Sequence, residues 1–364
     1  MKKLIAILEG DGIGPEIMAE GIKVLKAVEK KFNHQFELVY APFGANAYFS
    51  HGSPFPEKTI EICDKADAII KGPVGLSIEE MNKIPQELRP EAAALLPLRK
   101  KYDTYANYRP VRLPKELAHF SPLKKSIIGD GIDILMLREL VGGIYFGKKV
   151  EGESTGMKYS SDDCIYTWEQ VERVAIAAFA EAKKKSSLLT NVHKSNVLAT
   201  SRFWNEVVDS VRKKYPDVPY KSILVDNAAY QLMINPSQFN GVMLFENMQG
   251  DILTDQAGGV LGSMGLMPSA CIGPKKGYVE AAHGSAPEIA GKNIANPYSM
   301  IGSVAFLFDK LFGLTKEGEI IWNSLFKLFI DGYTTYELSE DKTADNILNT
   351  TAFGDKIVSY ILRK

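Results

Sequence analysis

The chain has little material for disulfide or zinc chemistry. Of its 364 residues only three are cysteine, Cys63, Cys164 and Cys271, far apart and with no C-x-x-C pair. Neither a disulfide framework nor a cysteine-based zinc site is expected, and the three read as buried or free thiols in a reducing compartment. Histidine numbers five, with no H-x-x-x-H pair. Charge of one sign is also missing. Lys and Arg total 43 against 44 Asp and Glu, a formal net charge of −1, and no basic stripe stands out, which argues against nucleic acid or a membrane surface as a partner. No apolar run approaches a membrane span. The opening Met1-Lys2-Lys3-Leu4-Ile5-Ala6-Ile7-Leu8 starts like a signal peptide, but Glu9 and Asp11 end its apolar run too early, so it reads as a first buried strand. A cytoplasmic protein is the expectation. Internal repeats and low-complexity tracts are absent as well. What is there is 45% hydrophobic, enough for large cores, and the length suggests about two domains.

Along the chain, strand-type and helix-type patterns alternate. Leu4–Leu8 leads through Glu9-Gly10-Asp11-Gly12-Ile13-Gly14-Pro15-Glu16 into a helical pattern at Ile17, Ile22, Val24, Leu25 and Val28. The turn is G-x-G-x-G with Pro15 where the third glycine of the dinucleotide fingerprint should fall, so the Rossmann motif is not met. A tight strand-to-helix turn is the reading instead. Further strands are expected at 36–40, 66–70, 132–137, 188–192, 222–225 and 242–245, separated by helices, which predicts an α/β architecture. Residues from about 148 to 166 are polar and poor in core residues, suited to a projecting arm or a loop.

Chemistry-bearing residues collect at the ends of these apolar segments. After the strand at 242–245 comes Glu246-Asn247-Met248-Gln249-Gly250-Asp251-Ile252-Leu253-Thr254-Asp255, with helical spacing that puts Ile252, Leu253 and Ala257 on an apolar side. Asp251 and Asp255 leave one face of a single helical turn. They suit a hard divalent ion such as Mg2+ or Mn2+, or simply a helix start whose dipole favours acids. Arg99, Arg109 and Arg138 lie at or near segment ends. They suit a substrate with more than one carboxylate, or surface ion pairs. Lys194 follows the strand at 188–192 and suits a general base, or snorkels to the surface. His193 beside it reads as a local hydrogen-bonding residue rather than a metal ligand. Asp226 is a third acid, placed at a strand terminus. The loop from Ala282 to Pro297 is rich in small residues and carries Glu288, the composition of a nucleotide-holding loop or of an ordinary structured one.

Taken together, Gly10-Asp11-Gly12-Ile13-Gly14-Pro15-Glu16, Leu98-Arg99-Lys100, Asn107-Tyr108-Arg109-Pro110, Arg138-Glu139-Leu140-Val141-Gly142-Gly143-Ile144-Tyr145-Phe146-Gly147, the Lys194 strand, Val225-Asp226-Asn227-Ala228, Gly250-Asp251-Ile252-Leu253-Thr254-Asp255 and His283-Gly284-Ser285-Ala286-Pro287-Glu288-Ile289-Ala290-Gly291 resemble the β-decarboxylating dehydrogenases. That family comprises the isopropylmalate, isocitrate, homoisocitrate and tartrate/D-malate enzymes, and the resemblance runs nearly end to end. It implies an isopropylmalate/isocitrate dehydrogenase-like fold with two α/β domains and a cleft between them. Residues 1–104 and 261–364 would form the large, cofactor-side domain. Residues 105–260 would form the small domain, with the dimer interface and the arm. In a homodimer sharing its active sites, Asp251 and Asp255 would hold the metal with Asp226 of the partner, and Lys194 would also reach across. Arg99, Arg109, Arg138 and Asp226 would bind substrate, and Tyr145 and Lys194 would be catalytic. NAD would lie along Ile13, His283, Gly284, Ser285, Ala286, Glu288 and Asn296. Glu288 would accept from the ribose hydroxyls and disfavour NADP, whose isocitrate enzymes carry lysine there.

The implied activity is oxidative decarboxylation of a 2-hydroxy diacid with a divalent metal. Isocitrate enzymes have Ser and Asn at the positions of Ala93 and Leu95, where they bind a third carboxylate. Leu95 and Leu96 would instead form an apolar wall suited to an isopropyl group, against which a charged side chain would be buried unpaired. D-malate enzymes also have leucines here and are the alternative. His193-Lys194-Ser195-Asn196 departs from the family's D-K-A-N, in the isocitrate direction. A silent regulatory subunit of the same fold is the alternative from another class, but every catalytic residue type is present.

Overall fold

The computed structural model describes residues 1–363. The chain divides into two compact units, one built from Met1–Asp103 together with the chain from Gly262 onward, the other from Thr104–Leu261. Each has its own set of paired strands.

In the first unit β1 (Lys2–Leu8) runs parallel between β2 (Gln35–Tyr40) and β3 (Ala68–Lys71). Ile5 to Leu8 and Ala68 to Ile70 are wholly buried, which is why both read as unbroken apolar runs rather than alternating ones. The strand Gly277–Ala281 pairs parallel with β3, and Pro268–Ile272 pairs antiparallel with it. The helix Gly14–Phe32 carries Pro15 in its first turn and ends at Asn33 in the left-handed conformation. Its buried face is Ile17, Met18, Val24, Leu25 and Val28, the helical periodicity of the sequence. The C-terminal part is helical over Tyr298–Phe306, Thr315–Ile330 and Thr350–Leu362.

The turn between β1 and this helix is fixed by Asp11, which is completely buried. Its carboxylate accepts from the backbone N–H groups of Ala45, Asn46 and Gly75, each at 2.8 Å. Burial raises its pKa and the three N–H groups pull against that. Gly12 has φ +57°, and a Cβ there would lie 2.1 Å from the carbonyl oxygen of Ser285. The glycine is therefore demanded by close approach to the Ser285 loop, not by a dinucleotide fingerprint.

In the second unit β4 (Ala106–Pro114) is antiparallel to β5 (Gly131–Glu139). An exposed hairpin follows, β6 (Lys149–Ser154) with β7 (Met157–Asp162). Then β8 (Leu188–His193), β9 (Tyr220–Leu224) and β10 (Gly241–Phe245) complete a parallel set in which β10 lies between β5 and β8, and β9 flanks β8. The polar 148–166 stretch is thus a hairpin, turned at Thr155 and Gly156, both with positive φ. One strand expectation shifts: β9 ends at Leu224, and Asp226 sits in the first turn of the helix Val225–Ile234 rather than at a strand terminus. Among the described residues no helix is long and apolar enough to cross a membrane.

Candidate active site

The second unit assembles most of the chemistry. Arg138 stands near the end of the central strand β5, opposite Asn107 on β4 and Phe245 on β10. Beyond Phe245 the chain enters the helix Asn247–Leu261. Glu246 holds that helix start, accepting from the backbone N–H of Gln249 at 2.6 Å and of Met248 at 3.2 Å, as an acid at a helix N-terminus should. The helix begins before Gly250, so Asp251 and Asp255 lie within it. Leu253 and Ala257 are buried as the spacing predicts, but Ile252 is 60% exposed. The apolar side therefore excludes Ile252, which points to solvent beside the acids.

Each acid is engaged by an arginine. Arg138 donates from Nη1 to Asp251 and, through Nε and Nη2, to Asn247 Oδ1 at 3.0 and 2.7 Å. Arg109 Nη1 donates to Asp255 Oδ1 at 3.0 Å and to Thr254 Oγ1 at 2.6 Å, while its Nε donates to Asn107 at 2.9 Å. Both guanidinium groups are buried. The Asp255 carboxyl is raised, first by burial and then by the neighbouring Asp251 carboxylate, against the pull of Arg109. Two carboxylates that repel, with side chains 37% and 58% exposed, form a donor set a divalent cation would relieve.

Tyr145 joins the same cluster, donating to Asp251 Oδ2 at 2.7 Å. Its phenol is pushed up to about 12, by burial first and then by that hydrogen bond, so it is a proton donor at neutral pH. The loop carrying it is clamped from two sides. Glu139 accepts from the N–H groups of Val141 and Gly142 at 2.9 and 2.8 Å, and Asn247 Nδ2 donates to the Gly142 carbonyl at 2.9 Å. Asn247 therefore bridges Arg138 and the Tyr145 loop.

Lys194 and Asp226 pair with each other, Nζ to Oδ1 at 2.8 Å, with side chains 30% and 63% exposed. The Asp226 carboxyl is held down by that lysine. Within one chain Asp226 does not join Asp251 and Asp255: among the described residues no group of three or more His, Cys, Asp or Glu could hold a metal.

The remaining candidates are in the first unit. Arg99 is buried in the helix Leu96–Lys101 and donates from Nε to the hydroxyl of Tyr278 at 3.3 Å. Leu95 and Leu96 are half-buried. The Ile13 N–H donates to the Ser285 carbonyl at 2.8 Å, tying the glycine turn to the 282–297 loop. In that loop His283 Nδ1 bonds the Gly284 carbonyl at 2.8 Å, and its buried Nε2 has no hydrogen-bond partner among the described residues. Burial holds the ring below the ordinary histidine pKa. Ala286 is in the left-handed region, φ 38°. Glu288 and Gly284 are exposed, and Asn296 is buried with Nδ2 on Glu337 at 2.8 Å. An orphaned buried nitrogen beside an exposed glycine and acid fits a polar ligand along this loop.

Asn247, Thr254, Glu139 and Tyr278 were not singled out by sequence. Thr254 carried a usable signal, since it stands three residues from Asp251 on the same helical face.

The chain matches the isocitrate/isopropylmalate dehydrogenase family model over residues 4–357 and belongs to that family. It is 45% identical over 354 residues to a 3-isopropylmalate dehydrogenase of Thermotoga maritima, covering 97% of each chain. Among solved structures it is similar to an isocitrate dehydrogenase from Methylococcus capsulatus, with TM-score 0.86, 27% identity and coverage of 99% of this chain and 100% of that one. It is also similar to a β-decarboxylating dehydrogenase from Thermococcus kodakarensis, with TM-score 0.78, 31% identity and coverage of 99% and 96%. The fold is that of this family, a mixed α/β architecture, and the chain is a decarboxylating dehydrogenase acting on a small molecule.

Proposed function

We propose that the chain is a 3-isopropylmalate dehydrogenase: it oxidises and decarboxylates (2R,3S)-3-isopropylmalate to 4-methyl-2-oxopentanoate and CO2, the third step of leucine biosynthesis. The observation that carries this reading is the near full-length 45% identity to an enzyme of that name, joined to the apolar Leu95-Leu96 pair preceding Arg99. An isopropyl group gains from apolar walls, while a third carboxylate would lose its partners.

Asp251 and Asp255, with Asp226 of a second copy, would hold Mg2+ or Mn2+. Ile13, His283, Gly284, Ser285, Ala286, Glu288 and Asn296 would hold NAD. When bound, the cation would supply Lewis-acid polarisation of the substrate oxygens, and the dinucleotide would accept the hydride. The protein's own groups do the rest. Arg99, Arg109 and Arg138 take the malate carboxylates with forked donors. Lys194 accepts the hydroxyl proton as the C–H hydride departs. Loss of CO2 from the resulting β-keto carboxylate leaves an enolate, and Tyr145 delivers a proton to its carbon, giving the ketone. The Leu95 and Leu96 side chains exclude water around the isopropyl group.

The pairing of Lys194 with Asp226 away from Asp251 supports active sites completed by a second copy. So do the exposed apolar side chains of Tyr230, Met233, Ile234 and Ile252, which suit burial in a homodimer. A cytoplasmic homodimer is the proposed working form.

The test is NADH formation with 3-isopropylmalate, isocitrate, homoisocitrate and D-malate, each with NAD or NADP and Mg2+ or Mn2+. A dominant rate with 3-isopropylmalate and NAD is expected. A dominant D-malate rate would reassign the substrate, and no rate with any of them would leave a silent subunit.

A further inference from the structure

Lys194 is a flexible amine on a loop, and something must fix where it starts from. β8 ends at His193, which is 8% exposed. The N–H of Ser195 donates to His193 Nδ1 at 3.2 Å, a side-chain-to-backbone bond spanning two residues, like an Asx turn. Because the donor is a backbone N–H, Nδ1 carries no proton and the ring is the neutral tautomer protonated at Nε2. Lys194 lies between the two bonded residues. Its own N–H donates to Ser201 Oγ at 3.1 Å, and its carbonyl accepts from Val197 and Leu198 at 3.1 and 3.0 Å. Arg202 closes the outer side, donating to the carbonyls of Ser195 and Val197 at 3.3 and 3.2 Å.

We propose that His193 is a positioning residue for Lys194, its neutral imidazole serving as the acceptor that fixes the peptide following the lysine. The inference rests on the reading of Lys194 as the general base. Without this acceptor the Ser195 N–H loses its partner and the loop can rotate about the Lys194 backbone. An amine on a four-carbon stem then samples positions away from the substrate hydroxyl, and a misplacement of about 1 Å costs on the order of a hundredfold in rate. Substrate and cofactor affinity should be spared, because the arginines and the His283 loop do not depend on this turn. The acceptor role also has a pH limit. Burial holds the His193 ring below the ordinary histidine pKa, with Asp209 of the helix Ala199–Arg212 pulling the other way, and its β9 neighbour Leu224 is apolar. The acceptor is therefore intact at neutral pH and lost on acidification.

The experiment compares His193→Ala, His193→Asn and Lys194→Ala in the full-length enzyme, with thermal melting recorded for each. His193→Ala should lower kcat by about 10- to 100-fold with both KM values within about twofold. His193→Asn, whose Oδ1 can accept the Ser195 N–H, should restore most of kcat. The ratio of wild-type kcat to that of His193→Asn should fall on acidification, at a pH below the range where an ordinary imidazole protonates. Should the alanine variant not fold, this ratio decides alone, and a ratio independent of pH overturns the inference. Near-normal kcat in His193→Ala beside a dead Lys194→Ala also overturns it, leaving the base assignment standing. An active Lys194→Ala overturns both.

Discussion

Tyr145 gives its phenolic hydrogen to Asp251 at 2.7 Å, onto the carboxylate that Arg138 also contacts. One acid thus ties together the proposed proton donor, a proposed substrate arginine and the proposed metal face. Tyr145→Phe keeps the ring and removes only the hydroxyl. If the hydroxyl delivers the proton to the enolate carbon, kcat should fall by about 10²- to 10⁴-fold, with the 3-isopropylmalate KM changing by no more than a few-fold. Steady-state kinetics separates the two. An unchanged kcat would remove Tyr145 from the chemistry.

The two acids of the helix Asn247–Leu261 predict a metal affinity that can be read without turnover. Asp255 is raised by burial and by Asp251, so the cation must compete with both Arg109 and a proton. Asp251→Asn and Asp255→Asn should each weaken Mn2+ binding at least about tenfold, since a hard cation loses one charged oxygen ligand. Wild-type affinity should itself decline on acidification, because the ligand must be ionised. Calorimetric titration of Mn2+ into the substrate-free protein measures both effects. Wild-type affinity in either variant would place the metal elsewhere.

The sequence was most legible where one periodicity dominates. The parallel strands β1, β5, β8 and β10 are buried on both faces, so their composition alone marked them. Tyr145, Arg138, Asp251 and Asp255 were named from motifs, and the second unit does bring these four together. Asn247 escaped because its role is a relation among three elements: it accepts from a strand arginine and donates to a loop carbonyl, and no spacing encodes that. Ile252 was placed on the wrong side because one residue is about 100° of helix, so adjacent apolar residues cannot all face inward. Asp226 follows Ile223-Leu224-Val225, an apolar run of strand type, yet β9 stops one residue early and a helix takes over.

Glu139 predicts a pH dependence of stability. Its carboxyl is pushed up to about 7, by burial first, against the N–H groups of Val141 and Gly142 and the nearby Arg173 and Arg138. With a folded pKa above the unfolded value, the native state binds the extra proton between these two pKa values. The resulting stability is complete below about pH 4.5 and is lost as pH rises through about 7, in total on the order of 3 kcal/mol. Glu139→Gln cannot ionise and still offers one acceptor oxygen. Relative to wild type it should therefore gain stability between pH 5 and pH 8, measured as urea midpoints at both values. A difference that does not change with pH would show that Glu139 does not titrate in this window.

Lys71 and Glu280 form an ion pair in the first unit, 2.7 Å apart with side chains 2% and 7% exposed. Lys71 also donates to the Gly72 carbonyl at 2.9 Å, and Glu280 receives the Cys271 thiol at 3.5 Å. The strands that carry the two charges pair directly, Glu280 opposite Lys71. Neither charge can reach water, so removing Lys71 takes from Glu280 the cation it contacts at 2.7 Å. Lys71→Met should cost about 3–5 kcal/mol, seen as a lower denaturant midpoint. The double variant Lys71→Met, Glu280→Leu should recover most of that loss, because a buried pair gains little over well-packed apolar side chains once desolvation is counted. A single Lys71→Met change costing less than about 1 kcal/mol would mean that water or rearrangement reaches Glu280, and that this pair is not sealed in the core.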